Sequence, residues 1–521
     1  AFGAVVGGLP TGILVQRFPP AKILVVSLGI LAVGHALFPY ARWLWVAVAM
    51  HALFGGCRAL GGVLTQSSIM TTVPRRLMGR TQSAFSVIAT VMQVIMSFSL
   101  GVLAQHASLP IAFAVLGMLY GVAVIAGAKA MGMGCAFTAQ ANDPSAIYFN
   151  PAGIIQLEGS NFKGGITYVK ENGGTFTGTT PLTGGATVSE TQKDLNFFIP
   201  NLFFTRKASP NFAYGIGVFS PFGLGQEYEN PNTSIFRNQI TKIDLLTIVV
   251  NPTVAWKVNE ILSVGAGIDF MYGSAILEKT PYSGALGGNL YNSKLEGSGN
   301  AWGYNFGVLL TPLKDLKMGI SYRSPFTLEV KEGDVEIRNI NGPTSATFFG
   351  GATSFDTKGS ATINMPATAT LGVAYTRDRL TLEADADWTF WNRFRSLDIN
   401  IKDEKSPVLV DTSSAKNWKN VVALYLGAEY RVTDPLALRV GFRYDPTPVP
   451  AGTMGPELPD ANKMYYTAGV GYKYSNWTFD LAYMYVDKQD RTVNNQTASA
   501  GFNGTWTGDA HLVALDVGYK F

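Results

Sequence analysis

The sequence predicts a membrane all-β protein, an antiparallel transmembrane β-barrel of about 14 strands with an N-terminal hatch or plug, preceded by about five apolar α-helices. Three observations predict it. No Asp or Glu precedes Asp143, and the residues before it are apolar with a few scattered cations. Beyond Gly159 the pattern changes to alternation with period two, bounded by Gly-, Asn-, Thr- and Pro-rich linkers. Between the two lies a short irregular stretch containing Pro144 and Pro151.

The acid-free part cannot be a water-soluble domain, because nothing would cover its apolar surface. Apolar runs near 1–16, 23–41, 43–70, 82–104 and 110–128 are separated by short polar turns, and the complete ones are long enough to span a bilayer. Arg17 and Lys22 lie in one turn and Arg75, Arg76 and Arg80 in another, which places both turns on the cytoplasmic side. The first run is short and begins at Ala1, so this part is expected to be incomplete or fused. Residues 1–130 therefore read as a partial helical membrane domain, residues 131–159 as the plug and residues 160–521 as the barrel.

The plug segment GMGCAFTAQANDPSAIYFNPAGIIQLEG (132–159) is too irregular for a strand and mixes small residues with Phe137, Tyr148, Phe149 and Ile154. A barrel this wide leaves an aqueous hole unless something fills it, and this segment could. The alternating segments follow at about 160–170, 195–206, 211–219, 244–257, 261–277, 293–312, 314–331, 357–375, 378–398, 417–432, 436–446, 464–475, 477–488 and 510–521. The last shows the pattern plainly: Val513, Leu515, Val517, Tyr519 and Phe521 share one face, and Ala514, Asp516, Gly518 and Lys520 the other. In 379–391 the face opposite Leu380, Leu382, Trp388 and Phe390 carries Glu383, Asp385 and Asp387. Charge is costly towards lipid and tolerated in a lumen. Adjacent segments supply Glu429 and Arg439 to that lumen. The linkers 171–193, 278–292, 341–356 and 489–509 read as long extracellular loops.

The net charge of +4 gives no reason to expect nucleic acid as a partner. Only Cys57 and Cys135 are present, so no disulfide framework is expected, and no metal cluster or cofactor motif is found. His511 is the barrel's one histidine and has no evident Ser and acid set around it, so no enzyme activity is expected.

On the motif NDPSAIYFNPAGI (142–154) the chain resembles the plug of FadL-type outer-membrane transporters of long-chain fatty acids and aromatic hydrocarbons. SPFGL (220–224), NPTVAWKVNEILSVGAGIDF (251–270), YRSPF (322–326), DADWTFWNRF (385–394), GFRYDPTPVP (441–450) and PELPDANK (456–463) follow in the family's order, so the resemblance spans 132–521. Cys135 stands where that family usually has Gly. The resemblance implies a bacterial outer-membrane protein, a monomeric barrel in contact with lipid and lipopolysaccharide, and hydrophobic small molecules as cargo released by movement of the hatch. Asn150, Pro151, Ala152 and Gly153 would form the hatch gate, or alternatively a purely structural turn. A fatty-acid carboxylate would need an inward cation, with Arg323 and Arg439 as candidates, unless these pair with lumenal acids such as Glu383 or Asp385.

A second resemblance is to major-facilitator transporters, on GILVQRFPPAK (12–22) and VPRRLMGR (73–80), which implies the last helices of such a carrier. The alternative functions are accordingly a fragment of an inner-membrane exporter of that type, or a general diffusion porin. Helices inserted as the basic turns require would leave the barrel on the wrong side of the inner membrane. The helical part is therefore expected to be an accidental fusion replacing the barrel's signal peptide, or else to end in an A-x-A-like site at Ala128, Lys129 and Ala130 with cleavage before Met131.

Overall fold

The computed structural model describes residues 127–494 and 501–521. The helices expected over 1–130 lie, up to residue 126, outside the described residues, as does part of the loop expected at 489–509. Downstream, alternation of side chains builds a closed antiparallel barrel of fourteen strands. We label them β1 (Ser160–Thr179), β2 (Leu195–Ser209), β3 (Phe212–Phe219 and Gly223–Glu227), β4 (Lys242–Lys257), β5 (Leu262–Lys279), β6 (Asn292–Leu313) and β7 (Leu316–Arg323 and Phe326–Arg338). The ring continues with β8 (Phe355–Met365 and Thr368–Arg377), β9 (Leu380–Thr389 and Ser396–Ile401), β10 (Val421–Arg431), β11 (Leu436–Asp445), β12 (Lys463–Tyr474), β13 (Trp477–Asn494) and β14 (Asn503–Lys520). It closes where β1 pairs with β14, from Asn161 opposite Lys520 to Thr179 opposite Asn503.

Closure joins the strands into one ring, and the two faces separate by chemistry. Leu382, Leu424, Leu426, Leu481, Tyr483 and Leu515 are exposed on the outer face, while Glu383, Asp385, Glu429, Asp480 and Asp516 are buried on the inner one. One end of the barrel has tight turns, such as Asp378–Arg379 and Ser475–Asn476, where Asp378 and Ser475 take positive φ as two-residue hairpin turns require. The other end carries the long connections.

The number of strands agrees with the sequence pattern, and the differences are local. The segments 314–331, 357–375 and 378–398 are each interrupted, at Ser324–Pro325, at Pro366–Ala367 and at Phe390–Arg395. Proline lacks the N–H that a ladder needs, which explains the first two. The linker 171–193 is largely strand, because β1 runs on to Thr179 and Val188–Thr191 pairs with it. The linker 341–356 holds a short helix, Gly342–Phe348, capped by the Asn341 side chain at Thr344 N. Alternation stops being legible there because these stretches rise beyond the lipid and no longer need an apolar outer face.

One seam in the wall is incomplete. β2 pairs with β1 from Leu195 to Arg206, but with β3 only from Leu202 to Ser209. Beyond Ser220–Phe222, the second part of β3 pairs with β4. The Phe197 ring covers the gap, so close to Gly225 that a Cβ there would lie 2.4 Å from its edge.

The N-terminal segment and the apolar cluster it borders

Residues 127–159 form a compact body made of a helical turn at Ala128–Met131, a second at Ala146–Phe149 and a 3-10 helix at Pro151–Gln156. Such a segment has few internal ladders, so its backbone donors must find partners elsewhere. Inward side chains of the barrel supply them. Asp385 accepts from the backbone N–H of Phe137 and Thr138, both at 3.0 Å. Glu383 accepts from Ala139 at 2.6 Å and Gln140 at 3.1 Å. Asp516 accepts from Ala128 at 2.6 Å, and the Thr467 hydroxyl accepts from Gly134 at 3.0 Å. The later part of the segment is held with the opposite polarity. Asn305 donates to Ile147 O at 3.0 Å, and Arg323 donates to Tyr148 O at 3.2 Å.

Asn150 joins the two parts. Its Nδ2 donates to Thr138 O at 2.9 Å and to Val308 O on β6 at 3.0 Å, while its Oδ1 accepts from Ala152 N at 3.1 Å and caps the 3-10 helix. Pro151 opens that helix at its first position, where the missing N–H costs nothing. Ala152 and Gly153 are buried behind it. A Cβ on Gly153 would fall 2.3 Å from Ala141 O, and one on Gly265 of β5 would fall 2.5 Å from Ala152 N. Both glycines therefore let backbone meet backbone.

Two charged clusters tie the segment to the wall. Lys163 of β1 lies 2.7 Å from Asp143 and 2.8 Å from Asp516. Burial alone would raise the Asp143 carboxyl, but the Lys163 and Lys129 ammonium groups outweigh it and hold that carboxyl at about 2. Arg439 bridges Glu429 and Asp480, at 2.7 Å each, and Lys129 stands 3.7 Å from Glu429.

On the opposite side Ile147, Ile154 and Ile155 pack into an apolar cluster with Phe203, Phe219, Met271, Phe326 and Leu328, with Phe222 at its margin. Arg323 stands at the edge of this cluster. Its guanidinium lies 5.2 Å from the Tyr148 ring and 5.0 Å from the Phe219 ring, and it forms an ion pair with buried Asp269.

The two arginines read from sequence are thus both paired, but with Asp269, Glu429 and Asp480. Glu383 and Asp385 hold backbone instead. Phe149 packs edge-on against Phe137 and Tyr148, while Trp391 packs against Trp418. Sequence reasoning missed Asp269, Asn305, Lys163 and Asp143. Asp269 could have been found as the lone acid in the alternating segment 261–277.

The family model for "Outer membrane protein transport protein (OMPP1/FadL/TodX)" matches residues 121–521. The chain belongs to that family. It is accordingly an outer-membrane transport protein. The long-chain fatty acid transport protein of Escherichia coli O6:H1 is 25% identical over 426 residues, covering 75% of this chain and 92% of the relative. The crystal structure of a Pseudomonas aeruginosa FadL homologue superposes with a TM-score of 0.62 at 21% identity, covering 77% of this chain and 98% of that one. That of the Ralstonia pickettii toluene transporter TbuX gives 0.55 at 19% identity, covering 77% and 100%. These two likenesses establish a shared OMPP1/FadL/TodX barrel fold.

Proposed function

We propose that the chain takes up hydrophobic compounds, long-chain fatty acids or aromatic hydrocarbons, through a barrel whose lumen is closed by residues 131–159 acting as a hatch. In this division residues 160–521 are the barrel and residues 1–130 are a partial helical segment without a part in uptake. The observation that carries the reading is the apolar cluster around Phe203, Phe219 and Phe326, which lies directly against the Ile147–Ile155 part of the segment. Apolar surface of this kind inside a polar lumen gives a hydrocarbon somewhere drier than water to go.

In this reading Asn150, Pro151, Ala152 and Gly153 form the gate, because undocking them would break hydrogen bonds to β6 and empty one wall of the cluster. Arg323 is the better placed of the two candidate carboxylate contacts, since it touches the apolar cluster while Arg439 lies among carboxylates. Asp269 neutralises Arg323, so a carboxylate would have to displace or share that partner. A neutral aromatic would stack on Tyr148 and Phe219 without disturbing it. The barrel acts as a monomer, its outer apolar face in lipid and its long loops against lipopolysaccharide.

Uptake of labelled oleate and of toluene is the test, comparing the wild type with a deletion of 142–154 in a strain lacking the protein. Saturable uptake dependent on the protein is expected for at least one compound, with the deletion converting it to a non-saturable leak. Equal uptake with and without the protein would overturn the reading.

A further inference from the structure

Arg323 is the inward cation that meets the apolar cluster, with the Tyr148 and Phe219 rings at 5.2 and 5.0 Å from its guanidinium. Other inward cations are occupied elsewhere. Lys163 sits between Asp143 and Asp516, Arg439 between Glu429 and Asp480, Arg443 pairs with Asp445, and Lys317 donates to Gln156. A carboxylate lying against Tyr148 and Phe219 would therefore look to Arg323 for its counter-ion. That cation is already answered. Asp269 on β5 is fully buried and pairs with Arg323 of β7 across β6. The intervening strand sets Gly303 opposite Asp269 and Asn305 opposite Arg323. Gly303 has no side chain to separate the pair, and Asn305 is committed to Ile147 O and to Asn251. The guanidinium also donates through Nη2 to Tyr148 O at 3.2 Å, which ties it to the N-terminal segment.

This arrangement bears on which cargo the cluster can accept. An arginine placed here to hold Tyr148 O would, without a partner of its own, be a receptor for any acid that arrived, because guanidinium–carboxylate hydrogen bonds are of the strong, charge-assisted kind. With Asp269 in place an incoming carboxylate meets a pair of zero net charge. It must either stay without a counter-ion against apolar surface, which is costly for an ionised group, or displace a fully buried carboxylate and strand that one instead. A neutral hydrocarbon meets neither cost. It gains contact with Phe219, Met271 and Phe326 and leaves the pair intact.

We propose that Asp269 is a specificity-determining residue: by holding Arg323 it makes the apolar cluster accept uncharged hydrocarbons and reject carboxylates. Asp269 acts through Arg323, as a positioning residue, and does not itself touch the cargo. The proposal rests on the uptake reading above and chooses between its two classes of compound.

The test is competition during uptake by intact cells at neutral pH, with the full chain expressed in a strain lacking it. Labelled para-xylene is the reporter, and para-toluate and para-toluamide are the competitors, alike in size and shape but different in charge. In the wild type the acid should need at least about tenfold more than the amide for half-inhibition, because it finds no free cation. Asp269→Asn keeps the shape of the side chain and leaves Arg323 without its carboxylate, so the acid should gain about ten- to a hundredfold relative to the amide. Adding Arg323→Gln to Asp269→Asn removes the cation and should abolish that gain, which a mere loss of packing would not do. The wild-type ratio decides even where Asp269→Asn does not fold: half-inhibition by acid and amide within about threefold of each other overturns the proposal. So does an unchanged ratio in folded Asp269→Asn, a gain that persists in the double variant, or protein-dependent uptake of labelled oleate without that of para-xylene. Absence of protein-dependent uptake of both compounds would instead overturn the uptake reading on which the proposal rests.

Discussion

Replacing Asn150 with Ala should undock the N-terminal segment while leaving the barrel intact. The side chain is fully buried and makes three hydrogen bonds, to Thr138 O, to Val308 O and from Ala152 N. Each is worth about 1 kcal/mol net, and the Ala152 N–H would be left buried without its acceptor, so the docked state should lose about 3 kcal/mol or slightly more. Every 1.4 kcal/mol is a factor of about ten, so the undocked population should rise roughly a hundredfold. Only the amides released by undocking should report it. In hydrogen exchange of the detergent-solubilised protein, the amides of Phe137–Gln140, which donate to Asp385 and Glu383, should lose about two decades of protection. Strand amides of β10–β14 should not change. Asn150→Asp is the informative companion, since it keeps the acceptor for Ala152 N but loses both donors and buries a charge; it should undock the segment at least as much. Protection of Phe137–Gln140 within about threefold of wild type in the Ala variant would refute the assignment of Asn150 as the tie between segment and wall.

Gly265→Ala places a Cβ 2.5 Å from Ala152 N, a backbone atom that cannot step aside, so the 3-10 helix must move. The cost should be about 1–3 kcal/mol, read as increased proteolysis within residues 141–157 at unchanged barrel melting. Asp143 contributes through a depressed carboxyl at about 2. Its stabilisation is present above the ordinary carboxylate value of about 4 and is lost as pH falls from there through about 2. Hydrogen-exchange protection of the segment should therefore hold at neutral pH and decline below about 4, and Asp143→Asn should flatten that decline; an identical acid profile in the variant would remove Asp143 from the latch. Cys135 is non-glycine at φ 67°, so Cys135→Gly should relieve about 1 kcal/mol of backbone strain, offset in part by the greater freedom of the unfolded glycine, and raise the denaturant midpoint slightly.

The break points in the wall show where reading from sequence stopped. Pro325 and Pro366 were visible as prolines inside apparent strands, yet alternation on both sides carried the reading across them. The ladder tolerates each because β7 and β8 resume pairing with each other in the same register beyond the prolines, Arg323 opposite Thr368 and then Phe326 opposite Met365, while the register with β6 and β9 shifts; this is a fact about pairing rather than composition. The lumenal charges were legible as a set, with Glu429 and Arg439 on adjacent segments, but their pairing was not, since it depends on the register that sets them opposite each other on consecutive strands. Arg323 was legible as an inward cation but not in its partner, since Asp269 lies two strands away across β6, where register cannot be read from either segment alone.

What the sequence determined by itself was the membrane class, the strand count and the place of the irregular segment before β1. These follow from short-range rules: lipid demands an apolar outer face at every second residue, and a stretch with prolines and no alternation cannot join that ladder. Only the tertiary structure decided what the lumenal acids are for. Glu383 and Asp385 look from sequence like counter-ions for arginine, yet they hold the backbone of Phe137–Gln140. Ring closure brings that segment against β9, and its unsatisfied N–H groups need acceptors more than the distant cations do. The same closure sets Phe197 over the seam between β2 and β3, which cannot be read from any single strand because it depends on which strands the closed ring makes neighbours.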